Sequence, residues 1–197
     1  MPPRRRSTFT ERARREQLIS LTVDLVAEHG YRGTSLQRIA DAAEISKAAV
    51  LYHFASKDAV VAAAYEQVLG ELVAVVGAAV EAAPDPATAV QTYLDTLLAH
   101  LAVRPGHIRL IAEALPDEHG VTDDRPSSPR RWESLAGLLS DARDRGLVRA
   151  DVDPRTTAVM FLGVVDAVVA AALEDPSFRI DDARPAVGDL VRRVLRD

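Results

Sequence analysis

The chain contains no cysteine, which removes disulfides, thiolate metal sites and thiol redox switching from consideration. It also lacks a leader-like start. Met1 to Arg15 is polar and Arg-rich with no apolar stretch behind it, so no signal peptide is expected. The longest nearly uncharged run, Thr157 to Leu173, is short for a bilayer span and carries Asp166. A cytoplasmic protein with no membrane partner is the expectation. No segment alternates apolar and polar residues as a half-buried strand would, and no fixed-period repeat appears. Catalytic signatures are missing as well: there is no Gly-rich loop after a strand, no nucleophile–base–acid motif and no His-x-x-x-His pair. The chain is expected to have no catalytic residues, no cofactor and no metal.

What is present is an aliphatic, helical chain of two unlike parts. Hydrophobic residues make up 48% of 197, enough for a substantial core. The net charge of -5 hides an asymmetry: residues 1–57 hold 10 Lys and Arg against 6 Asp and Glu, while residues 58–197 hold 14 against 23. A basic head on an acidic body suits a protein that meets phosphates with one end only, although Arg4, Arg5 and Arg6 of the N-terminal tail supply part of that excess.

Helical periodicity runs through most of the chain. Leu18, Leu21, Thr22, Leu25 and Val26 recur at helical spacing behind a cap at Thr8 or Thr10, and Gly30 suits the left-handed position beyond that helix. Leu36, Ile39 and Ala40 mark a second, short helix; Ala43, Glu44 and Ile45 a turn; and Ser46 caps a third helix through His53. Ser56 caps a fourth that continues to Ala83, about 38 Å at 1.5 Å per residue. Pro84-Asp85-Pro86 opens a fifth through Leu101, and His107 to Leu115 forms a short sixth. Pro116 to Pro129 reads as an acidic loop, Trp132 to Gly146 as a seventh helix, Pro154 to Glu174 as an eighth, and Pro185 to Leu195 as an amphipathic last one. The fold class is all-α: an N-terminal three-helix domain over 1–56 followed by a larger helical domain over 57–197.

Two short helices across a three-residue turn, with Ile39, Ala40, Ile45, Val50 and Phe54 apolar between them, have helix-turn-helix spacing. The run Thr34-Ser35-Leu36-Gln37-Arg38-Ile39-Ala40, then Ile45-Ser46-Lys47, then Tyr52-His53-Phe54-Ala55-Ser56-Lys57-Asp58 resembles the DNA-binding domain of the TetR family of repressors across roughly residues 15–65. The resemblance implies that Ser46 to His53 lies in the major groove of double-stranded DNA. The chemistry of the side chains agrees: Lys47 can donate to guanine O6 or N7, Gln37 can pair with adenine, and Ala48 and Ala49 can touch a thymine methyl. Thr34, Ser35, Tyr52, His53 and Lys57 are the candidate phosphate ligands. Thr34 could instead be a cap, Tyr52 a core residue and His53 the filling of a helix junction. Two positions depart from the family, which usually has glycine where Glu44 stands and a phosphate-binding tyrosine where Leu51 stands.

In the body, Thr157 to Leu173 is apolar nearly all round the helix and must be covered on every side. Val164 and Val168 on that helix, with Val187, Val191 and Val194 on the last, are the expected homodimer interface, a four-helix bundle about a two-fold axis. The TetR resemblance implies the same dimer, and a small apolar or amphipathic effector that releases DNA. Tyr93, His100, His107, Arg109, Glu113, Trp132 and Phe161 are the candidates for lining its pocket. His100, His107 and Glu113 or His119 could also form a metal site, but Pro105 separates the first two. An adaptor that has lost DNA binding, which Glu44 and Leu51 favour, or a DNA-binding protein without an inducer, is the alternative reading.

Overall fold

The structure, a computed structural model, describes residues 9–114 and 128–196. The Thr8 cap, the Arg4–Arg6 cluster, His119 and all but the end of the predicted acidic loop lie outside those residues. Every regular element described is a helix: α1 (Phe9–Gly33), α2 (Leu36–Ala42), α3 (Lys47–His53), α4 (Lys57–Glu81), α5 (Pro86–Ala102), α6 (Pro105–Ala114), α7 (Pro129–Asp144), α8 (Pro154–Glu174) and α9 (Ile180–Arg196).

Capping decides where these helices begin. The Ser35, Ser46 and Ser56 hydroxyls accept from the backbone N–H three residues on in α2, α3 and α4, and the Asp85 and Asp153 carboxylates do the same for α5 and α8. Bonding to the Thr88 N–H and hydroxyl holds the Asp85 carboxyl below its ordinary range. Helix α1 ends differently from the expectation: Gly30 kinks it at φ 72°, ψ 170°, a conformation essentially confined to glycine, and helical turns resume to Gly33. Helix α9 starts earlier than expected and carries Pro185 in its second turn. The first turn is held by Arg184, which bonds Asp181 on α9 and forks onto Asp95 of α5 at 2.9 and 3.0 Å.

Two cores result. The head packs Leu18, Val26, Ile39, Val50 and Phe54 against Val60, Val61, Ala64 and Val68, so it includes the first half of α4. The body packs the second half of α4 with α5 and α7 to α9 around Leu94, Leu98, Leu135, Leu139 and Phe161. Helices α4 and α8 are long and apolar enough to cross a bilayer, but each lays its buried stripe on these cores.

Helix α6 belongs to both. Leu110 is buried in the head core and Ile108 in the body core, while Ile111 packs on each. Gly106 lets α6 lie close on α1, since a Cβ there would stand 3.1 Å from that of Ala27. Arg109 then donates to the Ala27 carbonyl at 3.0 Å.

Candidate functional site

The α2–α3 pair presents one polar, open surface. Burial of Val50 and Phe54 turns Lys47, Ala48, Leu51 and Tyr52 outward together, at the i, i+1, i+4, i+5 spacing that shares a helix face. Ala49 is half-buried at the edge. Gln37 is exposed on α2, its amide donating to Asp41 at 2.8 Å. Both lysines of the chain, Lys47 and Lys57, belong to this end of the molecule.

The phosphate candidates divide. Thr34 is 2% exposed and its hydroxyl donates to the Gly30 carbonyl at 2.9 Å, so it closes the α1–α2 junction instead of meeting a phosphate. Ser35 is exposed while capping α2. Tyr52 is 66% exposed, which excludes a core role, and its hydroxyl meets Glu11 at 3.0 Å. His53 is half-buried, edge-on to the Tyr52 ring, and its carbonyl accepts from Arg15 at 2.7 Å. Lys57 is half-buried too. Its ammonium donates to the Tyr31 carbonyl at 2.5 Å and lies 3.8 Å from the Tyr31 ring centre, while the Tyr31 hydroxyl bonds Asp58. Lys57 therefore ties α1 to α4 as well as offering charge at a helix N-terminus.

Sequence reasoning missed Arg15, whose guanidinium stacks 4.0 Å from the Phe54 ring centre and ties α1 to the end of α3. Only helical docking brings residues 15 and 53 together.

Glu44 occupies the turn at φ 54°, the one non-glycine positive φ among the described residues. The family's usual glycine fits this backbone without strain, and Glu44 adopts it at a cost.

In the body, a cavity of about 750 Å3 lies between α4, α5, α6, α7 and α8. Leu69, Val73 and Val76 line it from α4, Leu97 and Leu101 from α5, Ile108 and Ile111 from α6, and Leu162 and Val169 from α8. Its polar wall is small. Tyr65 and Tyr93 contribute, with Glu66, Ser134 and an ion pair in which Arg131 of α7 forks onto Asp166 of α8 at 2.7 and 3.2 Å.

Of the expected pocket residues whose side chains are described, Tyr93 lines this cavity and His100, His107, Arg109, Trp132 and Phe161 do not. Phe161 is buried in the body core, and Trp132 packs on that core beneath the Arg155 guanidinium. Arg109 is turned toward α1, and the Glu113 side chain lies outside what is described. Arg131 and Asp166 were missed because they are 35 residues apart in sequence, and an acid in an apolar helix reads locally as an interruption.

His100 and His107 do meet, Nε2 to Nδ1 at 3.2 Å, buried where α5 turns into α6. Burial lowers both pKa values, the Arg104 cation lowers them further, and Glu71, paired with Arg104 at 3.0 Å, opposes this. Among the described residues no group of three or more His, Asp or Glu is placed to hold a metal ion.

Of the expected interface valines, Val187 and Val191 need correction. Val187 and Val191 are 7% and 1% exposed and face the body's own core, because α9 lies along α5 and uses its apolar stripe there. Val164, Val168 and Val194 are half-buried against the same core. The exposed residues of α8 include Val159, Met160, Gly163, Ala167 and Ala170, and those of α9 include Ala186 and Leu190.

Comparison with known proteins gives the same picture. Residues 18–64 match the family described as bacterial regulatory proteins, tetR family, and residues 85–193 match the C-terminal domain described as SbtR-like transcriptional regulator. Over 57 residues the chain is 37% identical to the HTH-type transcriptional regulator RutR of Escherichia coli K12, a match spanning 29% of this chain and 27% of RutR. The fatty acid degradation regulator FadR of Bacillus halodurans superposes with a TM-score of 0.79 at 20% identity, covering 90% of this chain and 94% of that one. FadR of Bacillus subtilis, solved in complex with stearoyl-CoA, gives 0.78 at 16% identity, covering 89% and 96%. The ketosteroid regulator KstR2 of Mycobacterium tuberculosis gives 0.69 at 19%, covering 93% and 95%. At these identities the structural likeness is one of fold.

Proposed function

Because the chain belongs to the TetR family of bacterial regulatory proteins, we propose that this transcriptional regulator is a ligand-responsive repressor, a cytoplasmic homodimer that holds a palindromic operator and is released when a small amphipathic molecule fills the body. The observation that carries this reading is α6, which places Ile108 and Ile111 in the cavity wall and Leu110 in the head core. A molecule that fills the cavity pushes on a helix whose next residue is part of the head. The two reading heads of a dimer must sit about 34–36 Å apart, one turn of DNA, or a multiple of it. A tilt of each head spoils that spacing at both half-sites, and DNA must weaken ligand binding by the factor by which ligand weakens DNA binding.

Lys47 and Gln37 are the base readers, Ala48 and Ala49 apolar contacts, and Ser35, Tyr52, His53 and Lys57 the phosphate contacts. The exposed face of α8, with small Gly163, Ala167 and Ala170 at its centre, is the interface between subunits, since small residues let two helices approach closely. The relatives FadR, solved with stearoyl-CoA, and KstR2, named for ketosteroids, support an effector with a large apolar body. The chemistry of the site is binding rather than catalysis.

The test is operator affinity with and without compounds that raise the protein's melting temperature. Release by at least one cavity-filling compound is expected. Lys47→Ala or Gln37→Ala should lose about 1–3 kcal/mol at particular base pairs, and Lys57→Ala should weaken all duplexes alike with a shallower salt slope. Operator affinity unmoved by a chemically broad set of bound compounds would overturn ligand control.

A further inference from the structure

The ion pair in the cavity wall determines what the cavity accepts. Its two ends are unequally buried: the Arg131 side chain keeps 15% of its exposure and Asp166 keeps 42%. A guanidinium is charged at every pH a protein meets, and one withdrawn this far from water must keep an anion beside it. Asp166 can leave. It lines the cavity with Leu162, Val169 and Ala170 and is already the more exposed of the pair, so rotation off Arg131 leaves it in contact with water. Asp166 is also the one charged residue of α8 between Arg155 and Glu174.

Deepening the ligand-responsive reading above, on which it rests, we propose that the cavity takes an aliphatic molecule ending in a carboxylate, and that this carboxylate replaces Asp166 on Arg131. The exchange conserves charge inside the protein, since one carboxylate leaves as another arrives and the guanidinium is never unpaired. An alcohol has to insert beside an intact pair and gains no charged partner. An ammonium meets Glu66 on the exposed side of the cavity but Arg131 within it. The aliphatic walls of α4, α5 and α6 take the rest of the molecule, and departure of Asp166 removes a bond between α7 and α8.

The experiment is calorimetric titration of the full-length protein, without DNA, with dodecanoate, dodecanol and dodecylamine below their micelle-forming concentrations. Dodecanoate should bind tightest. Asp166→Asn, which removes the competing anion, should tighten dodecanoate roughly tenfold or more and leave dodecanol within about twofold. Arg131→Gln should abolish the preference for acid over alcohol. The ranking of the three probes on the unaltered protein needs no variant, so it decides the matter even where a variant fails to fold. Equal binding of acid and alcohol, tightest binding by the amine, binding by none of the three, or a folded Asp166→Asn protein with unchanged affinity for the acid would each overturn the proposal. Dodecanoate that binds in this manner yet leaves operator affinity unchanged upholds the site and sinks ligand control. Operator release by an uncharged molecule that binds in preference to dodecanoate sinks the site and leaves ligand control standing.

Discussion

The head and the body draw on the same aliphatic residues and pack them differently. In the head, Leu18, Val26, Ile39, Val50 and Val60 have no exposure at all. In the body, Leu98, Leu135 and Leu139 are as closed, but Leu72, Leu97 and Leu162 keep 8–9% and border a cavity of about 750 Å3. Close packing leaves a structure few ways to deform, which suits a head proposed to hold Lys47 and Gln37 in fixed relation to base edges. A hollow gives up contacts on one side of each lining residue, and a molecule that fills the space can restore them. The charge follows the same division, basic at the head and acidic in the body.

The largest expected effect separates fold from assembly within the body. Val191→Asp buries an unpaired carboxylate in the body core and should cost several kcal/mol, leaving the protein unfolded or nearly so by circular dichroism. Ala167→Asp puts the same charge on the exposed face of α8. It should leave the melting curve of the monomer intact and abolish dimers in sedimentation. Loss of structure in Ala167→Asp, or retention in Val191→Asp, would mean that the inner and outer faces have been assigned wrongly.

Next in size is the contrast between solid and hollow cores. Leu18→Ala should cost about 3–5 kcal/mol in urea denaturation, because a closed core cannot collapse onto the space. Leu101→Ala widens a cavity that already exists and should fall nearer 2 kcal/mol. Equal losses would break the comparison.

Glu44→Gly should stabilise the head by about 1 kcal/mol by relieving the positive φ, with a higher melting temperature and operator affinity unchanged or improved. A fall in stability would show that the Glu44 side chain contributes something the backbone argument omits.

The smallest effect is one of pH. The lowered pKa values of His100 and His107 mean that the unfolded chain binds protons more readily than the native one below the ordinary value of 6.5. The contribution of the neutral pair is therefore complete above about pH 6.5 and is lost as pH falls toward the lowered values. His107→Asn, whose amide oxygen can stand in for Nδ1, should lose less stability than the parent between pH 7.5 and 5.5. Identical losses would place the pH dependence elsewhere.

Much of this was legible in the sequence, and the reason differs from part to part. Serine and aspartate caps, together with proline and glycine, act within a few residues, so the starts of α2, α3, α4, α5 and α8 follow from local chemistry. The helix-turn-helix and its outward residues were legible for the same reason: seven-residue helices leave little choice of face once Val50 is apolar. Long helices offer more. The α9 stripe of Val187 and Val191 is visible in the sequence, but whether it covers its own core or a second subunit depends on where α5 lies. Thr34 was equivocal because a threonine before a helix serves as cap and as phosphate ligand with the same atom. The cavity was least legible: Arg131 and Asp166 gain their meaning only when α7 and α8 meet.

Helix α6 has a consequence for exchange between relatives. A cut after residue 56 would separate the reading helices from Val60, Val61 and Ala64 on one side of their core and from Leu110 on another. Gly106 would have to find an Ala27 equally small on the incoming α1. A head moved onto an unrelated body would therefore have to match its α4 and α6 as well as keep its own helices packed. On the proposed function, a new operator is acquired most simply by changing the few outward residues of α2 and α3 in place, and a new effector by changing side chains that line the cavity while the body core, the outer face of α8 and the surface of α6 toward the head are left alone.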